Sequence, residues 1–181
     1  SLDVGTFSAD EDGDGLPDYS GKLTSIESII GSEEIDIVNG SDAAERFDGG
    51  GGIDALRGGA GADTFVYQDE SDLSTEIVDG QSGTDVLEFT ADAVNLTATS
   101  PANVTSVESL LLSNLDGELA VSLSLNDNAG FGPQQFNLIT GSSATDTLNV
   151  GAAVSGDFSN TQLVSIDILK ATTNLTVKSN T

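Results

Sequence analysis

The chain has 181 residues, of which 30 are acidic and 5 basic, for a formal charge of −25. It holds no cysteine and no histidine, which excludes a disulfide framework, thiol chemistry, Ser-His triads and ordinary zinc sites together. Such a charge opposes compaction unless cations neutralise it, and it argues against nucleic acid or an anionic membrane as a partner.

The first element is an acidic run, Asp10-Glu11-Asp12-Gly13-Asp14-Gly15-Leu16-Pro17-Asp18. Acids at offsets 1, 3, 5 and 9, with glycine at 6, follow the first part of an EF-hand calcium loop. The run is similar to the D-x-D-G-D-G-x-P-D calcium loops of thrombospondin type 3 and dockerin modules. That similarity implies ligands at Asp10, Asp12, Asp14, the Leu16 carbonyl and Asp18. Gly21 stands where the bidentate glutamate of an EF-hand would be, and no amphipathic helix flanks the run, so a true EF-hand is not expected. Thr24-Ser-Ile-Glu-Ser-Ile-Ile30 follows, apolar, β-branched and alternating, and predicts a short strand. Residues 1–30 thus read as an N-terminal strand region with a calcium-type loop.

From Gly31 to Val66 run four nine-residue units without gaps: GSEEIDIVN, GSDAAERFD, GGGGIDALR and GGAGADTFV. Position 1 is glycine in each (Gly31, Gly40, Gly49, Gly58), position 6 is acidic (Asp36, Glu45, Asp54, Asp63) and position 8 is apolar (Val38, Phe47, Leu56, Phe65). A flexible linker needs no such phase. A strict period marks a stacked architecture, in which each unit buries its apolar residue against its neighbours. If each unit is half a coil, loops on one edge recur every 18 residues. Asp36 then stacks under Asp54 on one edge and Glu45 under Asp63 on the other.

The last two units match G-G-x-G-x-D-x-U-x, with U apolar, and the segment resembles the RTX family of secreted calcium-binding proteins. The resemblance is close over 31–66 and looser elsewhere. It implies an all-β, right-handed parallel β-roll or β-solenoid with calcium ions held in glycine-rich loops and almost no helix. It implies one site at Gly31, Glu33, Asp36, Gly50, Gly52 and Asp54. A second, opposite site would use Gly40, Asp42, Glu45, Gly59, Gly61 and Asp63. The frame extends to Asp72, so a third site would join Gly49, Gly51 and Asp54 with Asp69 or Asp72. The chemistry fits, because calcium takes six to eight oxygen ligands and glycine turns carbonyls inward without a Cβ clash. The first two units lack glycine at positions 2 and 4, where Ser32, Glu34, Ser41 and Ala43 stand. Asp54 and Asp63, in the loops that keep every glycine, are therefore expected to be the strongest ligands. The roll is assigned to 31–72.

Beyond it the repeats loosen. Thr105-Ser-Val-Glu-Ser-Leu-Leu111 and Val164-Ser-Ile-Asp-Ile-Leu169 repeat the Thr24–Ile30 motif, and each predicts a strand. Gly83-Thr-Asp-Val-Leu-Glu-Phe89 and Ala144-Thr-Asp-Thr-Leu-Asn-Val150 form a second pair, 61 residues apart. Further strands are expected at 95–98, 119–125, 136–140 and 174–177, and at most a helical turn at 91–94 and 124–129. Residues 73–181 read either as continued β-solenoid or as a separate all-β domain.

The resemblance points to a non-enzymatic calcium-binding structural module of an exported bacterial surface protein, a surface layer or adhesin, folding on calcium outside the cell. The alternative is a non-catalytic RTX module of a type I-secreted extracellular enzyme, such as a protease, lipase or polysaccharide-modifying enzyme. Paired carboxylates could catalyse glycoside hydrolysis, but thirty acids produce such pairs by chance. Calcium is the expected cofactor. Self-association, other surface proteins or a polysaccharide are the partners left open. No nucleic acid and no direct membrane insertion are expected, since no apolar run reaches the length of a span. The absence of methionine points to a segment processed from a longer chain.

Overall fold

A computed structural model describes residues 4–10, 19–68, 73, 75–91, 93–96, 103–113, 122–125, 136–150, 156–171 and 175–176. Every element among the described residues is a β-strand. The chain is a parallel β-solenoid in type, with two compact units. The first contains Ser1–Tyr67, Ser71–Leu87 and Ala102–Val107; the second contains Gln68–Glu70, Glu88–Pro101 and Glu108–Thr181.

The first unit carries one sheet of six strands. Its order is β2 (Tyr19–Thr24), β1 (Val4–Asp10), β4 (Ile35–Asn39), β6 (Ala55–Gly61), β8 (Ile77–Gly83), β11 (Val104–Thr105). From β4 onward the pairing is parallel, and each strand belongs to a successive coil. The opposing strands β3 (Ser28–Ile30), β5 (Arg46–Asp48) and β7 (Thr64–Tyr67) also pair in parallel. Parallel neighbours need a long crossover, which the opposing strand and two corners supply.

Register explains the eighth-position residues. Val38 lies beside Leu56, Leu56 beside Val78, and Val78 beside Val104, forming one column. Ile29, Phe47 and Phe65 form another, with the two phenylalanine rings stacked at 5.2 Å between centroids and 15° between planes. All four nonapeptide residues, Val38, Phe47, Leu56 and Phe65, are buried. Each such side chain contributes about 1.5–3 kcal/mol of burial.

The nine-residue frame does not run on unchanged. Asp36 reaches the carboxylate of Asp54 across 18 residues, but Asp63 reaches Asp85 across 22. The extra residues make a longer crossover after β7, in which Leu73 is fully buried and the Tyr67 hydroxyl donates to Glu76 Oε2 at 2.5 Å.

The N-terminal strands depart from the parallel expectation. β1 pairs antiparallel with both β2 and β4, from Val4 opposite Thr24 to Ala9 opposite Tyr19 and from Thr6 opposite Asn39 to Asp10 opposite Ile35. An antiparallel neighbour can follow through a short connection, as a parallel one cannot.

In the second unit one parallel sheet runs β10 (Ala93–Asn95), β13 (Ser122–Leu125), β15 (Thr147–Val150), β18 (Ile168–Ala171). Another run joins β12 (Ser109–Leu112), β14 (Leu138–Thr140) and β17 (Gln162–Val164). A two-stranded piece pairs β16 (Gly156–Asp157) with β19 (Leu175–Thr176). Leu110, Ile139 and Leu148 are fully buried. The remaining strand, β9 (Val86–Phe89), contains the division between the units. The helical turns expected at 91–94 and 124–129 are corrected where the chain is described. Ala93–Asn95 and Ser122–Leu125 are strands, in keeping with their β-branched and apolar-alternating neighbours.

The motif at Thr24–Ile30, like its two repeats, is a corner between strands, not one strand. Ser25, Ser106 and Ser165 adopt φ of 54°, 53° and 53°, between β2 and β3, β11 and β12, and β17 and β18. One residue in the left-handed region turns the chain, at a cost of roughly 1–2 kcal/mol for a residue with a Cβ.

Candidate metal centre

The coil corners bring the position-6 acids together in columns. On one edge the loop 31–36 stacks on 49–54, with Gly31 N–H donating to the Asp48 carbonyl at 2.7 Å and Gly51 N–H to the Ser32 carbonyl at 2.8 Å. On the other edge 40–45 stacks on 58–63, with Gly40 N–H donating to Arg57 O at 2.7 Å and Ala60 N–H to Ser41 O at 2.8 Å. The residues of the first two expected sites are thus neighbours in space.

Each acid is tied to the next coil through its backbone. Asp36 N–H donates to Asp54 Oδ1 at 2.8 Å, Glu45 N–H to Asp63 Oδ1 at 2.9 Å, and Asp63 N–H to Asp85 Oδ1 at 2.8 Å. Glu45, Asp63 and Asp85 therefore form three successive rungs, all buried.

Glycine at position 1 has a steric cause. A Cβ on Gly58 would stand 2.3 Å from Asp63 Oδ2 and 3.0 Å from the Gly80 carbonyl; one on Gly40 would stand 2.0 Å from Gly58 O. The acid folds back over its own loop's first residue, and the next coil's carbonyl closes the same space.

The loops differ in how they treat their acid. Where position 2 is serine, the loop satisfies it internally. Ser32 N–H and Oγ donate to Asp36 Oδ2 at 2.7 and 3.0 Å, and Ser41 N–H and Oγ donate to Glu45 Oε2 and Oε1 at 2.8 and 2.6 Å. Gly59, at position 2 of the fourth unit, has φ +101°, and Asp63 Oδ2 is buried with no hydrogen-bond partner among the described residues. An unsatisfied buried carboxylate oxygen is costly, so this atom calls for a positive partner. Burial pushes the Asp63 carboxyl up from an ordinary 3.8 to about 6, and the charges of Asp85 and Glu45 add to the rise. The hydrogen bond from the Glu45 backbone acts in the opposite direction.

The carbonyls facing the next loop are those of Ser32 and Glu34, and of Ser41 and Ala43. They would meet a Cβ on Gly50, Gly52, Gly59 and Gly61 at 2.0, 2.4, 2.1 and 2.4 Å. The resemblance instead implies ligands at Gly31 and Glu33, and at Gly40 and Asp42, from the lower loop. Glu33 and Asp42 have exposed side chains. Gly49 O instead approaches Gly31 from above, within 2.2 Å of a Cβ placed there. Asp54 is followed on its edge by Glu76, since Ile77 pairs with Ala55 and Ile77 N–H donates to Asp54 O at 2.9 Å. Asp69 and Asp72 lie outside the described residues, as do Asp12, Asp14, Leu16 and Asp18. Asp10 ends β1, its backbone opposite Ile35. Among the described residues no cluster of three acidic side chains is close enough to chelate an ion by itself, so any ion here would depend on backbone carbonyls.

Two loops of the same construction were missed. In 80–85 and 141–146 a glycine again precedes an acid by five residues and an apolar residue follows the acid by two. A Cβ on Gly80 would meet Asp85 Oδ2 at 2.4 Å, and one on Gly141 would meet Asp146 Oδ2 at 2.4 Å. Asp146 N–H donates to Asp167 Oδ2 at 2.9 Å, and Ser142 N–H donates to Asp146 Oδ2 at 2.5 Å. The signal was present as G-x-x-x-x-D-x-U. Loss of the nine-residue spacing hid it.

No family model matches the chain, and no match is found among curated proteins or solved structures.

Proposed function

We propose that the chain is a non-enzymatic, calcium-dependent structural module of an exported bacterial surface protein, of the RTX kind, whose loops order when calcium enters the carboxylate columns. The observation that carries this reading is Asp63: a fully buried carboxylate, one oxygen without a hydrogen-bond partner among the described residues, between two further buried acids. A cation beside it would satisfy that oxygen and offset the repulsion of the column. Calcium suits the setting, because it accepts carbonyls with carboxylates in irregular shells, whereas magnesium demands octahedral geometry and sheds water reluctantly. Asp63 and its neighbours Glu45 and Asp85 would supply charge, and the loop carbonyls would supply neutral oxygens. When bound, the ion would supply counter-charge and cross-link successive coils.

A net charge of −25 also favours a chain that stays expanded until cations arrive. Extracellular calcium would then act as the folding trigger, consistent with a role at the cell surface. Isothermal titration with calcium tests the reading, comparing the natural chain with Asp63→Asn. The natural chain should bind calcium, and the variant should lose at least one site or about 1–3 kcal/mol of affinity. Absence of calcium binding by the natural chain at millimolar order would refute it.

A further inference from the structure

We propose that Asn39-Gly40 is a deamidation site gated by the fold: protected while the coils are stacked, and converted to aspartate or isoaspartate once β4 detaches. It is the chain's single Asn-Gly pair. In an open chain such a pair is chemically labile, because glycine leaves the following amide nitrogen sterically open. That nitrogen, having given its proton to base, attacks Asn39 Cγ. The Cγ–Nδ2 bond breaks and ammonia leaves. Water then opens the resulting succinimide at either carbonyl. Attack at Cγ gives aspartate, and attack at the main-chain carbonyl gives isoaspartate. The net change is water in and ammonia out, with no oxidant or reductant.

Four features of the folded chain oppose that attack. Asn39 ends β4 as extended backbone, paired with Thr6 on one side and Arg57 on the other. The attacking nitrogen is engaged, because Gly40 N–H donates to Arg57 O at 2.7 Å. The leaving amide is held, because Asn39 Nδ2 donates to Thr6 Oγ1 at 3.1 Å. β1 also presses on the pair: a Cβ on Gly5 would meet Asn39 O at 2.7 Å and Gly40 Cα at 3.4 Å. Cyclisation needs the side chain to swing toward the Gly40 nitrogen, and every one of these contacts resists it.

The consequence is directional. Isoaspartate inserts one methylene into the main chain just before Gly40. Gly40 has no room for displacement, since the Gly58 carbonyl lies 2.0 Å from the place of its missing Cβ. A chain that has formed isoaspartate while open cannot restack loop 40–45 on loop 58–63 in the same register. Time spent open is thereby recorded irreversibly. Opening by any cause exposes the pair, with or without calcium.

The test incubates the full chain warm at mildly alkaline pH, folded as judged by strand-type dichroism, and in parallel in urea. Trypsin cleavage after Lys22 and Arg46 isolates residues 23–46, in which Asn39 is the sole asparagine. The amide-to-acid mass gain and isoaspartate-specific methylation of that peptide are followed with time. The folded sample should react at least about tenfold more slowly, because protection follows the population of the open form. Thr6→Ala should raise the folded rate and leave the urea rate unchanged. Asn39→Gln should abolish the mass gain at this peptide in both conditions. Folded and unfolded rates within about twofold of each other would overturn the gating. Recovery of the native spectrum by chains carrying isoaspartate would overturn the irreversibility.

Discussion

At Asp63, burial and two neighbouring carboxylates act against ionisation, while the Glu45 N–H acts for it. The result is a folded-state value near 6 against an ordinary 3.8. The direction of the pH effect follows. Below about pH 4 the group is protonated in both folded and unfolded chains, and the fold bears no penalty from it. As pH rises from about 4 to about 6 without calcium, the unfolded chain releases this proton while the folded chain still holds it, so stability is lost across that window and the loss is complete above it. The loss is at most about 3 kcal/mol. Urea denaturation in chelator at pH 4 and pH 7 should show this decline, and Asp63→Asn should flatten it. An identical decline in the variant would assign the effect to other acids. A second residue-scale expectation concerns Gly58. Gly58→Ala should displace Asp63, since the added methyl would lie 2.3 Å from its Oδ2. Thermal denaturation should show a fall in Tm, larger with calcium present than with chelator.

Two kinds of corner alternate with the strands, and they differ in energetics. The six-residue glycine loop turns several backbone groups toward the next coil. The serine corner turns the chain at one residue with φ near 53°. Ser106→Gly should therefore stabilise by a few tenths to about 1 kcal/mol, through relief of the left-handed strain. Ser106→Val should destabilise, and equilibrium denaturation of both variants checks the sign. Inside the coils, Phe65→Ala should cost about 3–5 kcal/mol, because Phe65 is fully buried and stacked on Phe47. Much of this level was legible in the residues. A glycine, an acid and an apolar residue held in phase four times predicted the 18-residue stacking and the burial of Val38, Phe47, Leu56 and Phe65. The Ser25, Ser106 and Ser165 corners were not legible. A β-branched run with one serine looks the same whether that serine continues a strand or enters the left-handed region. Loops 80–85 and 141–146 were obscured because coil length grew to 22 residues between Asp63 and Asp85, and 21 separate Asp146 from Asp167. The antiparallel entry of β1 was also invisible, since alternation of side chains does not encode strand direction.

Across the molecule, apolar columns and backbone ladders favour the stacked state, and the concentrated negative charge opposes it. Thirty acids face five basic residues, so internal ion pairs can neutralise only a small share. The rungs on the Glu45–Asp63–Asp85 edge concentrate that repulsion where the coils touch. A divalent cation between coils would turn the same groups into cross-links, so that the number of stacked coils would depend on free calcium. Magnesium at equal concentration should order the chain far less. The measurement that tests this most directly is circular dichroism with thermal melting, first in chelator and then as calcium is raised to millimolar order. The account predicts a weakly structured, low-melting chain that gains strand-type dichroism and a higher Tm with calcium, with Asp63→Asn responding less. Spectra and Tm unchanged between chelator and calcium would contradict it.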